Sequence, residues 1–188
     1  MQKANYLRLI MKRDIPMTES NPNTTTSKLE IFFLQSLCEM YHAENMIAEE
    51  FCQIESKINC PKLHKILTGH FGIHVKHQSR LQKFFQIRGE TLTPKISYTM
   101  KAIMEEASAH LSHFSDDIRN WEFTLVLVAQ KFAHYKIAAY STLAQLAIKL
   151  NYPKLATLLA VSVQEEEEFL ANNLCEIYAS FLNSSGDS

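Results

Sequence analysis

Three histidines occupy positions 70, 74 and 77 in the stretch LTGHFGIHVKHQSR. At i, i+4 and i+7 they share one face of a helix, and a His pair at i and i+4 can chelate Zn, Ni or Cu. Glu44 or Glu165 would have to complete such a site. The zinc-protease motif H-E-x-x-H is excluded, because Phe71, Gly72 and Ile73 separate His70 from His74. The competing reading is three core-edge and surface imidazoles hydrogen-bonded across a bundle. The chain contains no nucleophile and base arrangement, phosphate loop or dinucleotide fingerprint.

A second pair of residues is conspicuous because it interrupts an apolar stripe. At the coiled-coil spacing of about 3.5 residues, one seam collects Leu125, Ala129, Phe132, Lys136, Ala139, Leu143, Leu146 and Leu150. The segment Leu150-Asn151-Tyr152-Pro153-Lys154-Leu155 repeats Ile58-Asn59-Cys60-Pro61-Lys62-Leu63, an offset of 153 − 61 = 92. Moved back by 92, the seam becomes Phe33, Leu37, Met40, Glu44, Ile47, Phe51, Ile54 and Ile58. Each stripe therefore carries one charge at the same place, Glu44 in one and Lys136 in the other. An internal duplication of a helical hairpin explains both the repeat and the matched positions. Glu44 and Lys136 are expected to form a buried ion pair, since a lone buried charge would be neutralised by a pKa shift. The alternative is that Lys136 reaches solvent along its stem while Glu44 is hydrated.

The elements that would position these groups follow from their boundaries. Residues 1–26 are rich in polar residues, Thr and Pro and read as a flexible arm, with at most a short helix from Tyr6 to Met11. Ser27 and Glu30 form a capping box for a first long helix reaching about Ile58. Pro61 suits the first turn of a second helix, predicted from Lys62 to Arg88 and stopped by Gly89. Its expected stripe is Leu63, Ile66, His70, Ile73, His77, Phe84 and Ile87. A shorter crossover helix from Lys95 to Phe114 leads to a third long helix, capped by Ser115 to Asp117 and ending near Leu150. A fourth runs from Pro153 to Leu182, and 183–188 is a disordered tail. The domain proper is thus 27–182. Two antiparallel hairpins joined by a helical crossover make an all-α, ferritin-like four-helix bundle. Glu165 to Glu168 sweep about 300° of helix surface, so at least one faces inward; Glu165 is the expected one. Tyr135 and Tyr140 read as core aromatics, Trp121 and Phe123 as packing or dimer contacts.

Bulk composition narrows the class. The chain has 188 residues, 46% of them hydrophobic, with four Gly and five Pro, which favours one domain of few, long helices. A net charge of −1 and no cluster of Lys and Arg speak against nucleic acid. Cys38, Cys52, Cys60 and Cys175 form no C-x-x-C pair, and Cys38 and Cys52 would lie about 21 Å apart along one helix, too far to bridge. Reduced thiols and a cytoplasmic location are expected. No signal-peptide core or membrane-length apolar run is apparent.

Four pieces then resemble, in order, the main helices of the YciE/YciF stress-protein family of the ferritin-like superfamily. They are LEIFFLQSLCEMYHAENMIAEEF, LTGHFGIHVKHQSRLQKFFQIRGE, AQKFAHYKIAAYSTLAQLAIKLNYPKLATLL and QEEEEFLANNL, within residues 28 to 180. The resemblance implies a bundle, usually dimeric and stress-associated, of poorly defined biochemical activity. It implies that Glu44, His70, His134 with Tyr135, and Glu165 stand where relatives carry helix 1 to helix 4 site residues. It also implies departures, with Ile73, Ala133, Lys136 and Val161 at positions usually acidic in the family. A pair of divalent ions needs about four negative charges and hard oxygen ligands, and an ammonium among them would repel metal. The expectation is a non-catalytic bundle with no cofactor and no standard di-iron centre, serving a structural or partner-binding role as a homodimer. The alternative is one transition metal ion held by the helix 2 histidines and a glutamate, with oxidase or peroxidase-like activity. Iron storage is a third class, opposed by the missing carboxylates.

Overall fold

The computed structural model describes residues 27–183; the expected arm, its short helix and the tail over 184–188 lie outside them. Helix α1 spans Lys28–Ile54 and is followed by a 3-10 turn, Glu55–Lys57. Helix α2 spans Pro61–Ile87, α3 Tyr98–His113, and α4 Ile118–Lys149. Helix α5, Pro153–Phe169, continues through a π-helical turn, Leu170–Leu174, into α6, Cys175–Asn183. The four long rods α1, α2, α4 and α5–α6 form a ferritin-like bundle, and α3 crosses from one hairpin to the other against α1 and α4.

Local chemistry sets the ends. Ser27 Oγ accepts the Glu30 N–H at 3.1 Å, Ser97 Oγ accepts that of Met100, and Asp117 accepts that of Asn120 at 3.2 Å. The crossover helix therefore begins at Tyr98, three residues later than expected. Only half of the predicted capping box forms at Ser27. The Glu30 carboxylate instead accepts from Tyr152 and pairs with Arg88 at 3.2 Å, tying the start of α1 to the end of α2 and the α4–α5 turn. Glu122 does the matching job at the other end, accepting the N–H groups of Asn59 and Cys60, both at 2.7 Å. The two glutamates are 122 − 30 = 92 residues apart, and so are Tyr152 and Cys60.

The same relation organises the core. One apolar cluster contains Phe33, Leu37, Leu81, Phe84, Leu143, Leu155 and Leu159. A second contains Leu125, Ala129, Leu174, Ile177, Phe51, Leu63 and Leu67, and a third, with Ala43, Ile47, Met100 and Phe132, lies where α3 packs on α1 and α4. Five of the seven pairs between the first two obey the offset of 92. The remaining two, Leu81 with Leu174 and Phe84 with Ile177, are offset by 93. The π turn at Leu170–Leu174 absorbs that one additional residue, returning Leu174 and Ile177 to the core face.

The α2 stripe differs from the expected one. Its buried residues are Leu63, Leu67, His70, His74, His77, Leu81, Phe84 and Phe85, while Ile87 is 76% exposed. Up to Phe84 the spacing alternates 4 and 3, a 3.5 period that keeps one seam facing its neighbours. All four cysteines are free. No helix among the described residues is long and apolar enough to cross a membrane.

Candidate functional site: a buried ionic layer

Between the first two apolar clusters lies a layer of polar groups that is closed to solvent. Glu44 from α1, Lys136 from α4 and Glu166 from α5 are each 0% exposed, and His70, His74 and His77 from α2 are at most 4% exposed. Lys136 Nζ lies 2.6 Å from Glu166 Oε1, 3.1 Å from Glu44 Oε2 and 2.8 Å from His74 Nδ1. Glu44 is surrounded: His74 Nδ1 approaches Oε2 at 2.7 Å, His77 Nδ1 approaches Oε1 at 2.9 Å, and the Tyr140 hydroxyl donates to Oε1 at 2.7 Å. Glu166 Oε2 meets His70 Nε2 at 2.9 Å. The His70 ring also stacks on Phe169, centroids 3.6 Å apart.

A rim closes the layer on one side. His77 Nε2 lies 3.1 Å from Glu165 Oε2, and Arg80 holds the same carboxylate with both terminal nitrogens while donating to Ser162 Oγ at 3.0 Å. Both ring nitrogens of His77 thus face carboxylate oxygens, and a neutral imidazole supplies a proton to only one of them.

Burial would raise the Glu44 pKa, but the Lys136 ammonium and hydrogen bonds from His74 and His77 outweigh it and hold the carboxyl well below its usual range. Glu166 follows the same balance, with Lys136 and His70 bringing it to about 2. Burial, then the Lys136 and His70 charges, push His74 down to about 3, and burial lowers His70 as well. Tyr140 is raised well above its ordinary value, by burial and then by the Glu44 charge.

The structure brings Glu44, Lys136, His70, His74 and His77 together and corrects two other expectations. The inward glutamate is Glu166, not Glu165, which sits 20% exposed on the rim with Arg80. His134 is exposed and takes no part. The reason is register. Under the offset, 166 − 92 = 74, so the symmetric partner of the α5 glutamate is His74 rather than Ile73. Counting in steps of 4 and 3 along Leu155, Leu159, Ser162, Glu166 and Phe169 would have found it. Val161 is accordingly outside, at 37% exposure. Two members of the site lie outside the sequence expectation: Arg80 carries no periodic signal, whereas Tyr140 lies four residues after Lys136 on the same face of α4.

A ferritin-like dinuclear centre draws one Glu from each of two helices and a Glu-x-x-His pair from each of the other two. Here the corresponding positions read Glu44, Lys136, His74-x-x-His77 and Glu166-x-x-Phe169. Two carboxylates stand where four are needed, one of the two histidines is an apolar ring, and an ammonium bridges the remaining acids. That donor set does not fit two divalent ions. Among the described residues no group of three or more His, Cys, Asp or Glu is arranged to hold a metal ion.

Comparisons with known proteins agree with the fold. Residues 28–183 match the family described as domain of unknown function DUF892. The protein YciF of Escherichia coli K12 is 28% identical over 144 residues, 74% of this chain and 84% of that protein. The crystal structure of the E. coli stress protein YciF superposes with a TM-score of 0.75 at 24% identity, covering 84% of this chain and 98% of that one. YcfI of Rhodopseudomonas palustris, described provisionally as a structural protein, superposes with a TM-score of 0.71 at 23% identity, covering 78% and 93%.

Proposed function

The chain belongs to the DUF892 family, and from that premise we propose that it is a non-catalytic ferritin-like bundle with a stress-associated structural or partner-binding role. In this reading the place of a metal centre is taken by an internal ion network, and the protein works as a cytoplasmic homodimer. One observation carries the reading: Lys136 Nζ lies within 3.1 Å of both buried carboxylates. An ammonium there neutralises the acids as a cation would, with no ligand to load or lose. The similarity to YciF, a stress protein, and to a protein described as structural supports the broad role. Ile31, Phe32 and Ile87, exposed at the end where α1 begins and α2 stops, offer apolar surface for self-association.

The test is metal reconstitution. Untagged protein is stripped with chelator, offered Fe, Mn or Zn, and assayed for bound metal and Tm. The expected result is no stoichiometric uptake and no rise in Tm, since a ligand of the native state must stabilise it. Two metals per chain with a raised Tm would overturn the reading. Replacing Lys136→Glu, His74→Glu and Phe169→His together should bring binding back. A second reading keeps one transition metal on α2, because His70 and His74 each keep one ring nitrogen outside the network of contacts among the described residues. One equivalent of Zn, abolished by His74→Gln, would favour it.

A further inference from the structure

A groove of about 480 Å³ runs between the first half of α2 and the π turn that joins α5 to α6. Ile66, Ile73 and Phe169 give it an apolar lining, and His70, whose ring stacks on Phe169, lines it as well. Lys62 and Lys65 line it at the start of α2, with Asn173 and Glu176 on the opposite rod.

The internal duplication shows why this place is open. In the other half of the repeat, Arg80 reaches across from α2 to α5, donating to Ser162 Oγ at 3.0 Å and to Glu165. The offset of 92 places Gly69, His70 and Ile73 where Val161, Ser162 and Glu165 stand, and the offset of 93 that Leu174 obeys places Asn173 where Arg80 stands. In the groove the guanidinium is thus replaced by a short carboxamide, the acid that held it by Ile73, and a valine side chain by a hydrogen. Packing does not require that glycine, because a Cβ at Gly69 would have nothing within 4 Å, and glycine weakens a helix interior.

The charges of the groove select its ligand. Lys62 is paired with Glu176 at 2.6 Å, whereas Lys65 makes no ion pair among the described residues. The Glu166 carboxylate bonded to His70 is neutralised by Lys136. One positive charge is therefore left unanswered, and a cation would meet no free acid. The lysines stand at the start of α2, and the apolar lining continues along the helix to Ile73, so charge and apolar surface follow one another in that order. The open volume lies within the roughly 300–1,000 Å³ of small-molecule sites.

We propose that this groove binds a small organic acid, one carboxylate on an apolar body, with the carboxylate on Lys65 and the body over Gly69 against Ile66, Ile73 and Phe169. The probes are 4-fluorophenylacetate, the neutral 4-fluorophenylacetamide and the cationic 4-fluorophenethylamine, each titrated into the full chain and followed by fluorine NMR. The expected outcome is saturable one-to-one binding of the acetate with a Kd below about 1 mM. It should be about tenfold tighter than the amide, because the contact to Lys65 is charge-assisted, and the amine should show no saturable binding. Gly69→Leu fills the open space and should weaken the acetate about tenfold or more, with Tm unchanged or raised, since leucine is the better helix former. Lys65→Gln, at an exposed position, should bring the acetate down to the affinity of the amide and leave the amide unchanged. Absence of saturable acetate binding, equal affinities for acetate and amide, or undiminished acetate binding to either variant would each overturn the proposal. The metal assay contains no organic ligand, so failure here and failure of the functional reading are separate results.

Discussion

Lys136 is the residue on which the charge of the layer turns, and its removal is predicted to show this. Lys136→Met leaves Glu44 and Glu166 buried without their cation, at a cost of about 3–5 kcal/mol. Chemical denaturation should register that loss at pH 8 and a smaller one at pH 5, where the abandoned carboxyls can take up protons. Adding Glu166→Gln should recover part of it. The layer also fixes how stability varies with pH in the unmodified protein. Glu166 has its folded pKa depressed to about 2, so its contribution is complete above the unfolded carboxyl value of about 4.3 and is lost as pH falls towards 2. His74 is depressed to about 3, so the unfolded chain takes up a proton near pH 6.5 that the native state refuses. Both signs agree: Tm should fall as pH drops from 6.5 to 3, and His74→Gln should flatten the upper part of that slope. A Tm that rises on acidification would contradict the assignment.

At the scale of the element, the α5–α6 rod and the α2 rod are copies that differ by one residue. If the π turn is where that residue sits, deleting Asn172 should convert it to regular α-helix and leave Leu174 and Ile177 facing inward. Thermal unfolding should then give a Tm equal to the parent's or higher. Deleting Gly72, in the unbroken α2 helix, would instead rotate His74, His77, Leu81 and Phe84 by about 100° away from the core, and no cooperative transition is expected. The hairpin turns are pinned by acids from the opposite hairpin. Glu122→Ala strands the N–H groups of Asn59 and Cys60 at the head of α2 and should cost about 1–3 kcal/mol, measurable by urea denaturation. Much of this was legible in order: the 92-residue repeat, the position of Glu44 opposite Lys136 and the Pro61 and Pro153 helix starts all stand in the sequence. The buried α2 stripe departs from the expected one because Ile66, Ile73 and Ile87 are apolar at nearly helical spacing yet lie off the core face. Hydropathy favoured them over His74, which only its polar partners make a core residue.

For the molecule as a whole, two apolar clusters related by a pseudo-two-fold axis clamp a polar layer at mid-height. This arrangement gives the bundle a reason to keep its helices in one register. An all-apolar layer would tolerate sliding by a turn, whereas here any shift strands Glu44 or Glu166 from Lys136. Size-exclusion chromatography with light scattering should return a dimer, and Phe32→Glu with Ile87→Glu should shift it to monomer with its helical circular dichroism retained and its Tm lowered, since association stabilises the native state. A monomer at micromolar concentration in the unmodified protein would remove the oligomeric part of the proposal.

What the sequence by itself determined is the periodicity: four long amphipathic helices, a duplicated hairpin, and one charge of each sign at equivalent places on two of them. These follow from local rules, because an apolar seam every three or four residues has to be buried. Only the tertiary structure decided that Arg80 closes the rim of the layer on Glu165, and that Glu30 and Glu122 leave their own helices to hold distant turns. Each of those depends on how far a rod is rotated about its axis against its neighbours. That angle is set by packing and partner geometry summed over the bundle, and it differs by about 100° for every residue of error.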